Sequence, residues 1–110
     1  MKIYRGYPGG SVVVEKDDDR DGTVTTLDRR LDLRNHSPDG FAWGYGGSGP
    51  AQLALAICAD ALGDDDRAID IYQEFKFRVI SELTTDGPFN MEESFVLDMV
   101  KAIENLGVMA

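Results

Sequence analysis

Residues 51–62, Ala-Gln-Leu-Ala-Leu-Ala-Ile-Cys-Ala-Asp-Ala-Leu, form an almost wholly apolar run that leaves no polar face on a helical wheel. A helix that is apolar on every side persists in water only where its neighbours enclose it. Pro50 suits the first turn of such a helix, Ser48 or Gly49 its N-cap, and Gly63 the left-handed residue that ends it. At well under the ~20 residues that span a bilayer, the run reads as the buried centre of a folded unit. The remainder of the chain must therefore wrap around a helix over 50–62.

The flanking segments supply what wraps it. Lys2 to Tyr7 and Ser11 to Lys16 flank Pro8-Gly9-Gly10, where glycine reverses the chain at little steric cost, and together they predict a β-hairpin. The polar stretch Asp17 to Gly22 ends in Asp-Gly, after which Thr23 to Leu27 resumes β-branched character as a third strand. A short extended piece, Arg30 to Arg34, follows with Leu31 and Leu33 on one face, so strands fill about residues 2–34. Beyond the glycine-rich loop 44–49 and the apolar helix, Asp64-Asp65-Asp66 opens a second helix over about 65–83, where carboxylates favour the positive end of the dipole. Ala68, Ile69, Ile71, Tyr72, Phe75, Val79, Ile80 and Leu83 form its inner stripe, and Phe77 falls opposite, at a contact with a partner or a second copy or, if the last turns bend, in the core. A third helix over about 91–106 starts at Asn90 with Glu93 three residues on, the pattern of a capping box, and stops at Gly107. Its apolar side is Met91, Phe95, Val96, Met99, Val100, Ile103 and Leu106. The expected fold is α+β, a single domain over 1–110: an N-terminal three-stranded antiparallel sheet packed on a buried central helix with two further amphipathic helices.

Charge narrows the function classes. Twenty acidic residues against 11 basic ones give a net charge of −9, which excludes attraction to phosphate backbones or anionic membranes as the main activity. The excess is lopsided: beyond residue 50 the chain carries twelve acidic residues and four basic ones. A single cysteine, Cys58, allows no internal disulfide and no thiolate-clustered metal site, and the N-terminus lacks the apolar core of a signal peptide. The expectation is a cytoplasmic protein.

Several constellations are candidates for chemistry or binding. Phe41-Ala-Trp-Gly-Tyr-Gly-Gly-Ser-Gly-Pro50 feeds a helix N-terminus, an arrangement that offers backbone N–H groups to an anion. Arg29, Arg30, Arg34 and the lone His36 lie just upstream, so with Gly46, Gly47 and Ser48 they form a candidate pocket for a small anion or nucleotide. The other reading stays open: the glycines admit Trp43 and Tyr45 to close packing, and the arginines pair with surface carboxylates. The loop lacks the Lys-Ser/Thr end of a P-loop, and Pro50 removes one donor. Asp17 to Gly22 resembles a calcium loop only superficially, without the alternating ligands or the closing Glu, and reads as a solvated turn. Asp64, Asp65, Asp66, Asp70 and Glu74 present spaced carboxylates around Phe77 and form a candidate partner-binding face. Ser37, Ser48 and Cys58 are conceivable nucleophiles, but none has a recognisable catalytic setting, so no catalytic residue, metal ligand or cofactor is expected.

The run Asn35-His-Ser-Pro-Asp-Gly-Phe41, the segment Trp43-Gly-Tyr-Gly-Gly-Ser-Gly-Pro-Ala-Gln-Leu-Ala-Leu-Ala56, then Tyr72 to Lys76 and Val79-Ile80, resemble a family of small uncharacterised proteins carried by phages, plasmids and bacterial genomes. The likeness covers most of residues 30–105 and implies a mobile-element context without a reaction. Combined with small size and acidity, it leads to the expectation of a non-enzymatic binding protein. Such a protein would inhibit or modulate a nucleic-acid-handling complex, in the manner of an anti-CRISPR or DNA mimic, through its acidic surface. Its partner would then be a protein, with no direct nucleic acid or membrane contact, and self-association remains open. The alternatives are the anion- or nucleotide-binding module and a structural accessory protein of a mobile element.

Overall fold

Strand β1 (Lys2–Tyr7) turns Tyr4 and Gly6 inward while Tyr7 is exposed, and β2 (Val13–Asp18) pairs with it antiparallel, setting Tyr4 opposite Lys16 and Gly6 opposite Val14. These elements belong to a computed structural model that describes residues 2–8, 13–85 and 87–106. The glycines of the expected Pro8-Gly9-Gly10 turn, and the Gly107 stop, lie outside the described residues. Strand β3 (Thr23–Thr26) follows a turn in which Gly22, at φ 74°, donates its N–H to the Asp18 carbonyl at 2.9 Å.

The described residues hold four strands, not three, in the order β3-β2-β1-β4. Strand β4 (Phe89–Glu92) takes the free edge of β1, with Tyr4 opposite Met91 and Gly6 opposite Phe89. Phe89 and Met91 are buried and Asn90 and Glu92 exposed, the two-residue period of a sheet. Gly6 is required here, because a side chain at that position would occupy the space of the Phe89 ring. Asn90 is thus a strand residue and not a helix cap, and α3 (Glu93–Asn105) begins later than expected, with no side-chain cap bond at Glu92.

Helix α1 (Ser48–Leu62) matches the enclosed helix expected, though it starts at Ser48 with Gly47 as cap. Every residue from Pro50 to Ala59 is buried, and Gly63 closes the helix at φ 62°. Leu53, Leu55 and Ile57 are fully shielded from water, each worth about 1.5–3 kcal/mol of burial. Tyr4, Val14, Phe89 and Met91 join this core from the sheet, and Ala68, Ile71, Tyr72 and Phe75 join it from α2 (Asp65–Arg78).

Helix α2 ends five residues earlier than its apolar stripe implies. After Val79 the chain tightens into a 3-10 turn, Ile80–Glu82. The Ile80 carbonyl accepts from Gly44 N at 3.0 Å, a tertiary bond that replaces a continued helical ladder. The expected extended piece Arg30 to Arg34 is instead a turn. The Asp28 carboxylate accepts from Arg30 N at 2.7 Å, Arg30 sits at φ 55°, and Leu33 N donates to the Arg30 carbonyl at 3.1 Å. Leu33 consequently packs against the core while Leu31 is exposed.

Candidate functional site

The loop between β3 and α1 is held by one side chain that the periodicity of the sequence does not single out. Gln52, in the first turns of α1, is fully buried. Its Oε1 accepts from His36 N at 2.8 Å and Ser37 N at 3.0 Å, and its Nε2 donates to the carbonyls of Arg29 at 2.6 Å and Arg34 at 3.0 Å. A buried primary amide costs free energy unless its hydrogen-bonding capacity is used. Here four backbone groups of the loop use it.

The arginine side chains around this clamp go to separate partners. Arg30 is bidentate on Asp65, at 2.7 and 3.0 Å, and also contacts both oxygens of Asp32 at 3.1 Å. Arg29 donates to the Pro38 carbonyl at 3.0 Å and Arg34 to the carbonyl of Leu33 at 2.7 Å. His36 Nε2 lies 2.7 Å from the Tyr72 hydroxyl, against α2. An open cleft of about 590 Å³ adjoins the loop, and its lining includes Arg29 together with Asp28 and Asp32. Arg30, Arg34, His36, Gly46, Gly47 and Ser48 are not among its lining residues, so the elements of the expected anion pocket do not converge there.

The glycine-rich loop is fixed by packing at both ends. Gly44 has φ 88°, and a Cβ there would run into the Thr85 backbone. Its carbonyl accepts from the Thr85 hydroxyl at 2.9 Å. Gly47 lies against the Tyr45 ring and Gly49 against Ala42, each too close for a side chain, whereas Gly46 faces open space. Trp43 is buried, donates its indole N–H to the Gly87 carbonyl at 2.8 Å, and meets Phe89 edge-on at 4.8 Å between ring centroids.

The acidic residues of α2 divide by what they already hold. Asp64 caps the helix by accepting from Arg67 N at 3.2 Å, Asp65 holds Arg30, and Glu74 pairs with Arg78 at 2.8 Å. Asp66 and Asp70 have no ion pair or hydrogen-bond partner among the described residues. With Gln73 and Phe77 they recur at steps of four, three and four, which sets them on one solvent-facing line. Phe77, at 59% exposure, stands at the end of this line, with Lys76 Nζ 4.6 Å from its ring centroid.

Asp60, near the C-terminal end of α1, is the centre of a second clamp. Tyr4 donates its hydroxyl to Oδ2 at 2.7 Å, Lys16 its ammonium to Oδ1 at 2.7 Å, and Lys2 its ammonium to both Oδ2 and the Asp60 carbonyl at 3.0 Å. β1, β2 and α1 thus meet at one carboxylate, and Lys2, 3.5 Å from Glu93, links it to the start of α3. Burial pushes the Asp60 carboxyl up, but the bonds from Lys16, Tyr4 and Lys2 outweigh it and hold the group below the usual range. Burial, reinforced by the Asp60 carboxylate, pushes the Tyr4 phenol well above its ordinary value. Both Gln52 and Asp60 were visible as the two polar interruptions in an apolar run, the one signal that a buried helix must satisfy polar partners.

Other candidates are occupied structurally. Cys58 is enclosed, and burial drives its thiol up, away from the thiolate. Of the Asp17–Gly22 stretch, Asp17 and Asp18 end β2 and only 19–22 turn; Asp18 holds Arg20 through both oxygens, which brings its carboxyl down to about 2, and Asp21 accepts from Thr23. Among the described residues, no group of three or more His, Cys, Asp or Glu is placed to hold a metal ion, and no helix is long and apolar enough to cross a membrane.

A family model described as a family of unknown function (DUF6166) matches residues 4–102. No curated protein and no solved structure matches the chain.

Proposed function

From the premise that the chain belongs to DUF6166, a family of unknown function, we propose that it acts by binding another protein through the outer face of α2. The observation that carries this reading is the line Asp66, Asp70, Gln73 and Phe77: two carboxylates with no ion pair or hydrogen bond among the described residues, leading to a ring that is 59% exposed. Aromatic side chains are favoured anchors at interface centres, where truncating one costs 2 kcal/mol or more, and free carboxylates steer a basic partner and add salt dependence. The partner class that fits is a basic surface such as a nucleic-acid-binding groove on another protein, and the wider setting is an inhibitor or modulator carried by a mobile element.

The test is affinity capture from a bacterial lysate, with the wild type compared with Phe77→Ser and with Asp66→Lys/Asp70→Lys. Nucleic-acid-binding proteins retained by the wild type, released by added DNA or by salt, and lost in both variants are the expected result. Retention that is equal for all three baits overturns the reading. Stability within about 0.5 kcal/mol of wild type is expected for these exposed positions, so that lost capture reports lost contact.

A further inference from the structure

Helix α3 carries more apolar surface than its own core uses. Val96, Val100 and Ile103 are buried against the core. Beside them runs a second line, Phe95, Met99, Ala102 and Leu106, spaced four, three and four residues apart. Phe95 is 44% and Leu106 61% exposed, Ala102 is exposed, and Met99 is half-buried. That spacing is the seam of a coiled coil, in which successive residues insert between those of a facing helix. Its first half borders an open groove of about 670 Å³, whose lining includes Val79, Leu83, Met91, Phe95 and Met99.

The charges beside this surface are unequal. Arg78 lines the groove but is already paired with Glu74. Glu82 and Glu92, also in the lining, and Asp98, on the outer side of α3, form no ion pair among the described residues, against a single unpaired Lys101. We propose that the groove and the α3 seam together receive an amphipathic helix of a partner protein, apolar at heptad spacing and flanked by Lys or Arg. A helix fits because the seam runs from Phe95 to Leu106, eleven steps of 1.5 Å or about 16.5 Å, and a helical partner matches its four-three-four spacing. A strand added to β4 would engage a four-residue edge and leave Ala102 and Leu106 uncovered. A second copy of the chain would bring another net −9 and a second acidic rim against the first.

The probe is a synthetic helix-forming peptide with leucine at successive a and d positions and lysine at the flanking positions, titrated into the protein with methyl resonances observed by NMR. A peptide of identical composition, shuffled so that its leucines share no face, is the control. Shifts at Met91, Met99 and Leu106, an affinity lowered about tenfold or more by Phe95→Ser, and a smaller loss with Glu82→Lys/Glu92→Lys are expected. Phe77→Ser leaves this binding unchanged, because it lies on the other face. Equal binding of the shuffled peptide, indifference to Phe95→Ser, or loss through Phe77→Ser instead overturns the proposal. So does a wild-type dimer that Phe95→Ser converts to monomer, which would make a second copy the occupant.

Discussion

Replacing Gln52 by leucine isolates what the buried amide does, since leucine has similar bulk and no hydrogen-bonding group. The change strands two backbone N–H groups, at His36 and Ser37, and two carbonyls, at Arg29 and Arg34. At a net ~1 kcal/mol per hydrogen bond the gross loss is about 4 kcal/mol. Two effects reduce it. Leucine gains up to about 1.5–3 kcal/mol from burial, and the loop, whose Arg29 and Arg34 side chains are exposed, can lift so that water reaches the orphaned groups. Orphaned groups that stay buried cost more than a net bond each, which restores part of the difference. The expected outcome is a loss of about 2–3 kcal/mol, or roughly 10–20 °C in Tm for a chain of this size. Urea unfolding followed by the fluorescence of Trp43, the one tryptophan, measures it, and hydrogen exchange at the His36 and Ser37 amides shows whether the loop has come loose. A variant as stable as wild type, with those two amides as protected as before, would refute the reasoning. It would mean that the amide fills space and holds nothing.

Two further perturbations probe the other fixed points. Because Asp60 titrates below its unfolded value of ~3.9, its contribution is complete above that pH and lost as pH falls through the folded value; Asp60→Asn should cost about 2–4 kcal/mol at pH 7 and progressively less toward pH 3. A wild-type-to-variant difference that does not change with pH in parallel urea titrations would contradict this. Gly44→Ala forces a Cβ onto the Thr85 backbone at a positive φ, so a loss of about 2 kcal/mol or more is expected by thermal unfolding, whereas Gly46→Ala, in open space, should change stability by under about 1 kcal/mol.

The elements that could be read from the sequence are those whose signal is local and long. The enclosed helix announces itself through unbroken apolarity between Pro50 and Gly63, and the outward position of Phe77 follows from helical phase alone. Strand β4 is the opposite case. Phe89-Asn90-Met91-Glu92 alternates for only four residues, and Met91 with Phe95 and Val96 also satisfies a helical period, so pattern cannot arbitrate. What decides is the free edge of β1 and the vacancy left by Gly6, both more than eighty residues away. The arginine cluster is a related case. Nearness in sequence suggests convergence, but the three guanidiniums reach different partners: Arg29 the Pro38 carbonyl, Arg34 the Leu33 carbonyl, and Arg30 the carboxylates of Asp32 and of Asp65 at the start of α2.

The misread boundary and the exposed seam of α3 have one cause. Had 91–106 been a single helix, Met91 and Phe95 would share its inner face; once residues 89–92 join the sheet, Met91 is buried from the strand and Phe95 is left facing outward at the groove. The two polar residues of α1 meanwhile hold the rest of the fold from within, Gln52 pinning the loop ahead of it and Asp60 gathering Lys2, Lys16 and Tyr4. Internal polar partners are thus concentrated at α1, while Asp66, Asp70, Phe77 and Phe95 lie outside both clamps. Substitutions at those outer positions should therefore separate binding from folding, which is the condition that makes both proposed surfaces testable by mutation.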